Sequence, residues 1–216
     1  MNGKTELIVL NTTKVGEKGL VVHALTPVWG RRSFITSVPR GGSKALLMPM
    51  SIIEAELCEN PRSELWRMKA ISTSCPLSGI RTRIAKNSMT MFLAEVLYRT
   101  VKDSQGDEQL YDWCKKAILT LDALEQDFSN FHLRFLMELC CVLGFRPGEE
   151  DIRPFCQERL RETTELLKCS FADFLLYPLS GESRGEIAEN LLRYLSYHTE
   201  SQINVRSLRV LHELFV

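Results

Sequence analysis

The spacing of hydrophobic residues changes about a third of the way along the chain. Up to about residue 74 they form short runs, such as Leu7 to Leu10 and Leu20 to Val22, separated by turns that contain glycine or proline. Such runs are typical of β-strands, and glycine suits the turns because it adopts positive φ readily. Five strands in about seventy residues indicate a small closed barrel of the OB type. The strands are predicted at about residues 5–11, 20–26, 31–37, 47–57 and 65–74.

From Pro76 onwards the hydrophobic residues follow the spacing of an α-helix. Ala85, Met89 and Phe92, for example, recur three or four positions apart, which places them on one face of a helix. Gly144 is expected to end one helix and Pro147 to prevent its continuation. Helices are predicted at about residues 84–101, 108–121, 126–143, 155–168, 186–199 and 204–215, with a further apolar run at 171–179.

These two patterns give the predicted fold class and domain organisation. We predict an α+β protein, a β-barrel plus an all-α part, with an OB-fold domain at 1–77 and a helical domain at 78–216. No apolar run approaches the ~20 residues that a membrane span requires, and the N-terminal residues contain no signal-type apolar segment. We therefore expect a cytoplasmic protein without a membrane partner.

Charge is unevenly distributed along a chain whose 27 basic and 27 acidic residues balance. The first fifty residues carry seven Lys or Arg against two Glu, a net charge of +5, whereas residues 105–165 carry seven basic and thirteen acidic side chains. A basic surface on a small barrel is typical of proteins that bind phosphates, and neighbouring aromatic rings can stack on unpaired bases. An ordinary solvated β-domain would explain the same distribution.

Three groups of side chains are therefore candidate nucleic-acid contacts. The barrel offers Lys14, Lys18, Arg31, Arg32, Arg40 and Lys44 for phosphates, and Trp29 and Phe34 for stacking. The helical part offers Arg81 and Arg83 with Lys86, and Arg206 and Arg209 near the C-terminus. None of these groups resembles a reader of base edges, so binding independent of base sequence is expected. Alternatively, the aromatic residues belong to the barrel core, and the cations of the helical part lie on a solvated helix surface without contacting nucleic acid.

The sequence lacks the stronger local signatures of catalysis. It contains no G-x-S-x-G elbow, no phosphate loop, no H-E-x-x-H and no G-x-G-x-x-G, and its four histidines are isolated. Its seven cysteines form no C-x-x-C pair, so neither a disulfide framework nor a zinc site is expected. We expect a protein that is not an enzyme and needs no cofactor. A thiol-dependent hydrolase would require an exposed cysteine with a lowered pKa beside a histidine.

Several short segments follow one another in a recognisable order. In the barrel part they are Gly16-Glu17, Leu25-Thr26, Gly30-Arg31, Arg40 and Pro49. In the helical part they are Pro76-Leu77-Ser78-Gly79-Ile80, Ala94-Glu95-Val96-Leu97, Leu143-Gly144-Phe145, and Arg206-Ser207 with Arg209-Val210-Leu211. Their order over some 200 residues resembles the RecO family of recombination mediators in bacterial DNA repair.

The resemblance implies an OB-fold domain and a helical domain, binding of single- and double-stranded DNA, and annealing of complementary strands. It also implies partnership with RecR and the single-strand binding protein SSB, so that RecA can be loaded, and therefore association with the nucleoid. The chain departs from the family in three places. Many relatives carry a four-cysteine zinc module where this chain holds only Cys156 and Cys169, so we predict no zinc. Ser37 and Leu208 stand where the family pattern often has a basic residue.

Residues and resemblance together predict a non-enzymatic mediator in which the barrel holds phosphates and the helical domain docks partners. SSB proteins end in an acidic tail with a terminal Phe. A receptor for this tail would combine an apolar pocket with a cation, and Arg134 and Arg146 are the candidates. The alternative is a protein adaptor that binds RecR or SSB with little DNA binding of its own.

Overall fold

The computed structural model of the protein describes residues 2–38, 45–61, 63, 65–102 and 106–215. The chain forms two compact units. The first comprises Met1–Ser78 and Val101–Leu119, and the second comprises Gly79–Thr100 and Thr120–Val216. The assignment of separate roles to residues 1–77 and 78–216 stays a prediction.

The first unit is built on a closed five-stranded barrel, as predicted. Its strands pair in the order β1-β2-β3-β5-β4, and β1 closes the barrel by pairing with both β2 and β4. Every pairing is antiparallel except that of β3 with β5, which is parallel. The strand number and closure match an OB-type barrel. The strands are β1 (Asn2–Val15), β2 (Gly19–Thr26), β3 (Gly30–Ser37), β4 (Ile52–Cys58) and β5 (Trp66–Thr73).

Alternate residues of the strands fill the barrel, because successive side chains of a strand point to opposite faces. Val9, Val22, Phe34 and Ile53 are completely buried in one cluster, and Met68 is 2% exposed. Burial of a side chain of this size stabilises the fold by about 1.5–3 kcal/mol. On β3 and β5 the residues between the buried positions are half-buried or exposed, which leaves this part of the outer face available for polar and basic side chains.

The fourth strand begins later than the pattern predicted. A strand was expected from about residue 47, but β4 starts at Ile52. Residues 45–47 form a 3-10 turn, and Met50 has a φ of 60°. Pro49 has no N–H with which to extend a strand ladder. The chain rejoins β1 only after this turn, where the N–H of Met50 donates to the carbonyl of Val9 at 2.7 Å.

A helix, α3 (Glu108–Ala123), begins in the first unit. Tyr111 and Lys115 of this helix donate to one carboxylate oxygen of Glu6 on β1, at 2.9 and 2.6 Å, and the Ser74 hydroxyl donates to the other. Burial alone would raise the pKa of Glu6, but these hydrogen bonds and the charge of Lys115 hold it below its ordinary value. Ionised Glu6 therefore ties α3 to the barrel.

The described part of the second unit is helical, which confirms the predicted all-α part. Helix α4 packs against α2, α7 and α8 and buries Phe131, Phe135 and Leu139. None of the helices in the described ranges is long and apolar enough to span a membrane. The helices are α1 (Ser78–Thr82), α2 (Ile84–Thr100), the last turn of α3, α4 (Phe131–Val142), α5 (Glu149–Ile152), α6 (Leu160–Lys168), α7 (Phe171–Leu176), α8 (Gly181–Thr199) and α9 (Leu208–Leu214).

The predicted start of α4 was wrong and its predicted end is confirmed. The pattern placed a helix at 126–143, but α4 begins at Phe131. Asp127 has a φ of 55°, which a right-handed helix cannot accommodate. Gly144 has a φ of 90° and stops the helix, because glycine adopts this conformation without a steric penalty.

The limits of three later helices also differ from the pattern. The helix predicted at 186–199 begins at Gly181, since the Ser180 hydroxyl caps it by accepting from the N–H of Ser183. The helix predicted at 204–215 is the shorter α9, and the one predicted at 155–168 divides into a 3-10 turn at Gln157–Arg159 and α6. Helix ends depend on caps, which hydrophobic spacing does not reveal.

Asn130 and Arg184 connect several elements of the second unit. The Asn130 amide donates to the carbonyls of Phe174 and Tyr177 at 3.2 and 2.8 Å. Arg184 donates to the Asn130 side-chain oxygen at 2.9 Å and to the carbonyl of Phe215 at 2.6 Å. The carbonyls of Tyr177 and Phe215 follow α7 and α9 directly, where the backbone acceptors of a helix end need partners from outside the helix.

Candidate nucleic-acid interface

A cleft opens on the barrel beside the short pairing of β3 with β5. The two strands are in register at Phe34 with Trp66 and at Ile35 with Arg67. Farther along, β5 is irregular against β4, and Ala70 has a φ of 49°. The resulting cleft has a volume of about 700 Å³. It is lined by Ile35, Thr36 and Ser37 of β3, by Asn60, Ser63 and Leu65 between β4 and β5, and by Arg67 to Ile71 of β5.

The described lining of the cleft contains two basic side chains and no acidic one. Arg67 and Lys69 flank the buried Met68 on β5, so both point to the outer face of the barrel. Both are exposed, and neither forms an ion pair or a hydrogen bond through its side chain with another described residue. Glu56 lies opposite Lys69 on β4 without pairing with it. These two cations retain their attraction for a phosphate.

The turn between β1 and β2 reaches the same end of β3. Gly16 has a φ of 60° in this turn, and the carbonyl of Lys18 accepts from the N–H of Val38, just after β3, at 2.9 Å. The side chains of Lys14 and Lys18 are exposed. OB folds bind oligonucleotides on strands 2 and 3 and on the loops that follow strands 1 and 4. The cleft therefore lies where OB-type barrels bind nucleic acid.

Arg31 and Arg32 lie at the other end of β3 and point to opposite faces of the strand. The Arg32 guanidinium carbon is 4.5 Å from the centre of the Trp66 ring. Trp29 packs edge-on against the same ring at 5.1 Å and rests on the barrel core. The structure therefore brings the predicted residues Trp29 and Arg32 together through Trp66, and it separates them from Arg31.

The last two barrel candidates, Arg40 and Lys44, lie outside the described residues. Val38 is the last described residue before them, and Ser37, which lines the cleft, precedes it. The participation of Arg40 and Lys44 in binding stays a prediction.

The basic cluster around the start of α2 makes contacts inside the second unit. Lys86 is buried and donates to the carbonyl of Asp122 at 2.9 Å, and Arg83 donates to the carbonyl of Glu125. Burial lowers the pKa of half-buried Arg81, although the nearby charge of Asp122 opposes this effect. Cations are favourable here because the last carbonyls of α3 lack partners and carry partial negative charge. Contacts of Arg81 and Arg83 with DNA stay a prediction, and they are the weaker candidates.

Arg206 and Arg209 lie at the start of α9. Glu95 accepts from the backbone N–H groups of Arg206 and Ser207, at 3.1 and 3.0 Å, and from the Ser207 hydroxyl at 2.6 Å. Burial alone would raise the pKa of Glu95, but these bonds hold it below its ordinary value. The side chains of Arg206 and Arg209 are exposed, and Arg209 pairs with Glu213 at 3.4 Å. An exposed ion pair of this kind contributes little stability, so both cations remain accessible.

The two candidate receptors for an SSB tail, Arg134 and Arg146, differ in environment. Arg134 donates to Glu138 at 2.6 Å and to the carbonyl of Cys169 at 3.3 Å, and it lies 5.5 Å from the centre of the Phe174 ring. Arg146 is exposed and lies beyond the opposite end of α4. Arg134 thus has an aromatic ring beside it, as a receptor for a carboxylate and a Phe would require.

The thiols of the buried cysteines are poorly suited to nucleophilic chemistry. Burial raises the pKa of Cys140 to about 12 and also raises that of Cys114 and Cys156. A reactive cysteine needs the opposite shift. In the ranges that the structure describes, no group of three or more His, Cys, Asp or Glu side chains is arranged to hold a metal ion. The absence of zinc stays a prediction.

Sequence reasoning missed Arg67 and Lys69, the two basic residues in the cleft. A signal was present, because apolar and basic residues alternate in Trp66-Arg67-Met68-Lys69. That alternation places both cations on the outer face of a strand. The sequence did not reveal that this face borders β3, since the pairing joins residues about 30 positions apart.

Comparison with known proteins found relatives that span the chain. The family model described as Recombination protein O C terminal matches residues 81–151. The chain is 31% identical to the DNA repair protein RecO of Phocaeicola vulgatus and 28% identical to that of Bacteroides fragilis, each over 98% of both chains. It is 26% identical to the DNA repair protein RecO of Flavobacterium psychrophilum over 100% of both chains. This chain therefore belongs to the RecO family, as the order of its sequence segments had indicated.

Proposed function

We propose that this chain is a recombination mediator in DNA repair that binds single- and double-stranded DNA without regard to base sequence. The observation that carries the proposal is the cleft beside β3 and β5. Arg67 and Lys69 stand in it without a described ionic partner and without an acidic residue in its described lining. Within the described ranges, no ion pair has to be broken before these cations bind a phosphate. The name DNA repair protein, carried by the relatives, supports the same function.

Contacts with phosphates account for the proposed indifference to base sequence, since the sugar–phosphate backbone carries no base information. We assign five described cations of the barrel to the DNA backbone, namely Lys14, Lys18, Arg31, Arg67 and Lys69. Arg32 lies next to Arg31 on β3 and adds to the positive charge. If about four to six phosphates of a single strand are neutralised, log K should fall with log salt at a slope of roughly −3 to −4.

We further propose that the chain anneals complementary strands and, with RecR, helps to load RecA onto SSB-coated DNA. Neutralisation of the phosphates on two strands reduces their repulsion, and binding to one protein raises their local concentration. Base pairing then supplies the driving free energy, so nucleotide hydrolysis is not required. This mechanism needs a basic surface and no catalytic group.

The test is a titration of a fluorescent oligothymidylate with the purified chain at several salt concentrations. Replacement of Arg67 and Lys69 together by Ala should weaken binding at least tenfold at low salt and reduce the slope by about 1.4, since about 0.7 counterion is released per phosphate. The matched control is Arg153→Ala with Arg161→Ala, which removes the same charge from exposed ion pairs of the second unit. A slope near zero, or equal losses in the two double variants, would reject the cleft as the binding site.

Docking of the SSB tail is assigned to Arg134 or Arg146 in the helical part of the chain. Arg134→Ala or Arg146→Ala should reduce the affinity for an SSB tail peptide and leave the affinity for single-stranded DNA intact. Isothermal titration with the peptide and the DNA titration above measure the two separately. Equal loss of both affinities, or of neither, would place the receptor elsewhere.

The alternative is a protein adaptor that binds RecR or SSB and contacts DNA weakly. One observation favours it. Ser37 lines the cleft, at a position where the family pattern often has a basic residue. An adaptor would bind the SSB tail peptide with undiminished affinity while the salt series showed no measurable DNA binding.

A further inference from the structure

Trp29, Arg32 and Trp66 pack together at one end of β3, and Trp66, which the sequence did not single out, contacts the other two. Trp66 is 6% exposed and is therefore part of the barrel core. Trp29 packs edge-on against it at 5.1 Å between ring centres, and the Arg32 guanidinium lies over it at 4.5 Å. Arg32 is half-buried, so a partly exposed cation lies over a buried indole.

The Arg32 guanidinium has hydrogen-bonding capacity that the described structure does not use. It carries five N–H donors, yet no ion pair or hydrogen bond joins its side chain to another described residue. Arg184 differs, because it donates to Asn130 and to the carbonyls of Leu179 and Phe215. An arginine with a purely structural role usually has such acceptors, whereas Arg32 is held by a ring alone.

The guanidinium is itself planar, so an arginine held over an aromatic ring offers a further planar surface for stacking. Proteins that bind single strands stack unpaired bases on aromatic rings and on arginine planes. In a duplex the bases are already stacked on each other and do not offer a free face. The Trp66 ring also reduces the rotamer freedom that Arg32 would lose on binding, which favours stacking.

We propose that Arg32, held over the Trp66 ring, is a platform on which an unpaired nucleobase stacks, and that it gives the barrel a preference for single-stranded over double-stranded DNA. This inference rests on the DNA binding proposed above and assigns a different role to Arg32 from that of a phosphate contact. Trp29, the stacking candidate of the sequence, becomes a positioning residue that supports Trp66 from the side.

The test compares Arg32→Lys with the wild type on three probes of about 16 nucleotides, the upper end of an OB-fold site. The probes are oligothymidylate, an abasic deoxyribose-phosphate strand of equal length and charge, and a duplex. Lysine keeps the positive charge but lacks the planar guanidinium group, so the affinity for oligothymidylate should fall about fivefold. Affinity for the abasic strand and for the duplex should stay within about twofold, since their contacts are electrostatic.

Two further variants complete the design. Arg31→Lys is the matched control on the neighbouring position and should affect all three probes alike. Trp66→Phe keeps the core apolar but reduces the area under the guanidinium, so it should weaken oligothymidylate binding alone, by less than Arg32→Lys does. Thermal melts confirm that each variant is folded.

The possible results separate this inference from the function on which it rests. Equal loss on oligothymidylate and the abasic strand would make Arg32 a phosphate contact, and no loss on either would make it a structural cover for Trp66. Both results overturn the inference while the wild-type DNA binding stands. Failure of the wild type to bind any probe would overturn both proposals.

Discussion

Replacement of Glu6 by Ala is expected to destabilise the first unit by about 3 kcal/mol at neutral pH. The Glu6 carboxylate accepts hydrogen bonds from Tyr111 and Lys115, at 2.9 and 2.6 Å, and from Ser74. Tyr111 is 3% exposed, so its hydroxyl would lose its acceptor while remaining buried. That loss is worth about 1–3 kcal/mol, and the two more exposed partners add about 1 kcal/mol or less each.

The effect should depend on pH with a defined sign. The pKa of Glu6 is lower in the folded chain than its ordinary value of 4.5. Ionised Glu6 therefore contributes stability that is fully present above the unfolded pKa and is lost as pH falls through the folded pKa. The difference in free energy of unfolding between the wild type and Glu6→Ala should therefore be smaller at about pH 3 than at pH 7.

The assay is urea unfolding followed by tryptophan fluorescence. All three tryptophans, Trp29, Trp66 and Trp113, lie in the first unit, so the signal reports on the unit that contains Glu6. Tyr111→Phe is the control, because it removes one hydrogen bond and keeps the ion pair; it should cost about 1.5 kcal/mol. If Glu6→Ala lowers the free energy of unfolding by less than about 1 kcal/mol at pH 7, the reasoning is refuted. It is also refuted if the decrease at pH 3 equals the decrease at pH 7.

Other perturbations test the second unit and the metal content. Gly79→Ala should lower the melting temperature, because an added Cβ would overlap the carbonyl oxygen of Asp122. Gly3→Ala is the control and should change the melting temperature little, since the space around Gly3 is open. Far-UV circular dichroism measures both melting temperatures. Burial lowers the pKa of His132 to about 3. As pH is lowered from 6.5 to 3, the imidazole of the unfolded chain gains a proton that the imidazole of the folded chain excludes. The free energy of unfolding should therefore fall by up to about 1.4 kcal/mol per pH unit. Urea titrations should show that His132→Phe reduces this pH dependence. Chelation should leave the melting temperature unchanged, and stoichiometric zinc bound through Cys156 and Cys169 would contradict this.

The barrel could be predicted because its strands carry their signal locally. Alternation of apolar residues and glycine turns located all five strands, but it placed β1 at 5–11 when the strand spans Asn2–Val15. The missed residues Thr12, Thr13 and Lys14 have no apolar pattern of their own. They are extended because they pair with Val22, Val21 and Leu20 of β2. Pairing of this kind is a tertiary interaction, and no window of sequence around residue 12 contains it.

The candidate site was harder to predict because basic residues look alike in a sequence. Lys86 and Lys69 each follow an apolar residue directly in the chain, yet Lys86 is buried against the carbonyl of Asp122 and Lys69 is exposed in the cleft. Only the fold decides which cation has an internal partner. The charge count of the first fifty residues directed attention to the barrel, but Arg67 and Lys69, the two cations of the cleft's described lining, lie beyond that segment.

The capacity to bind a polyanion depends on unpaired charge more than on net charge, and this reconciles a neutral chain with the proposed function. In the second unit, Arg159 pairs with Glu186 and Glu162, so its charge is neutralised at close range. In the barrel, Arg67 and Lys69 have no such partner among the described residues. At physiological salt the Debye length is about 8 Å, so a phosphate responds to the cations next to it and hardly to the rest of the molecule. DNA should therefore engage the barrel face, and the salt dependence of binding should count the cations of that face alone.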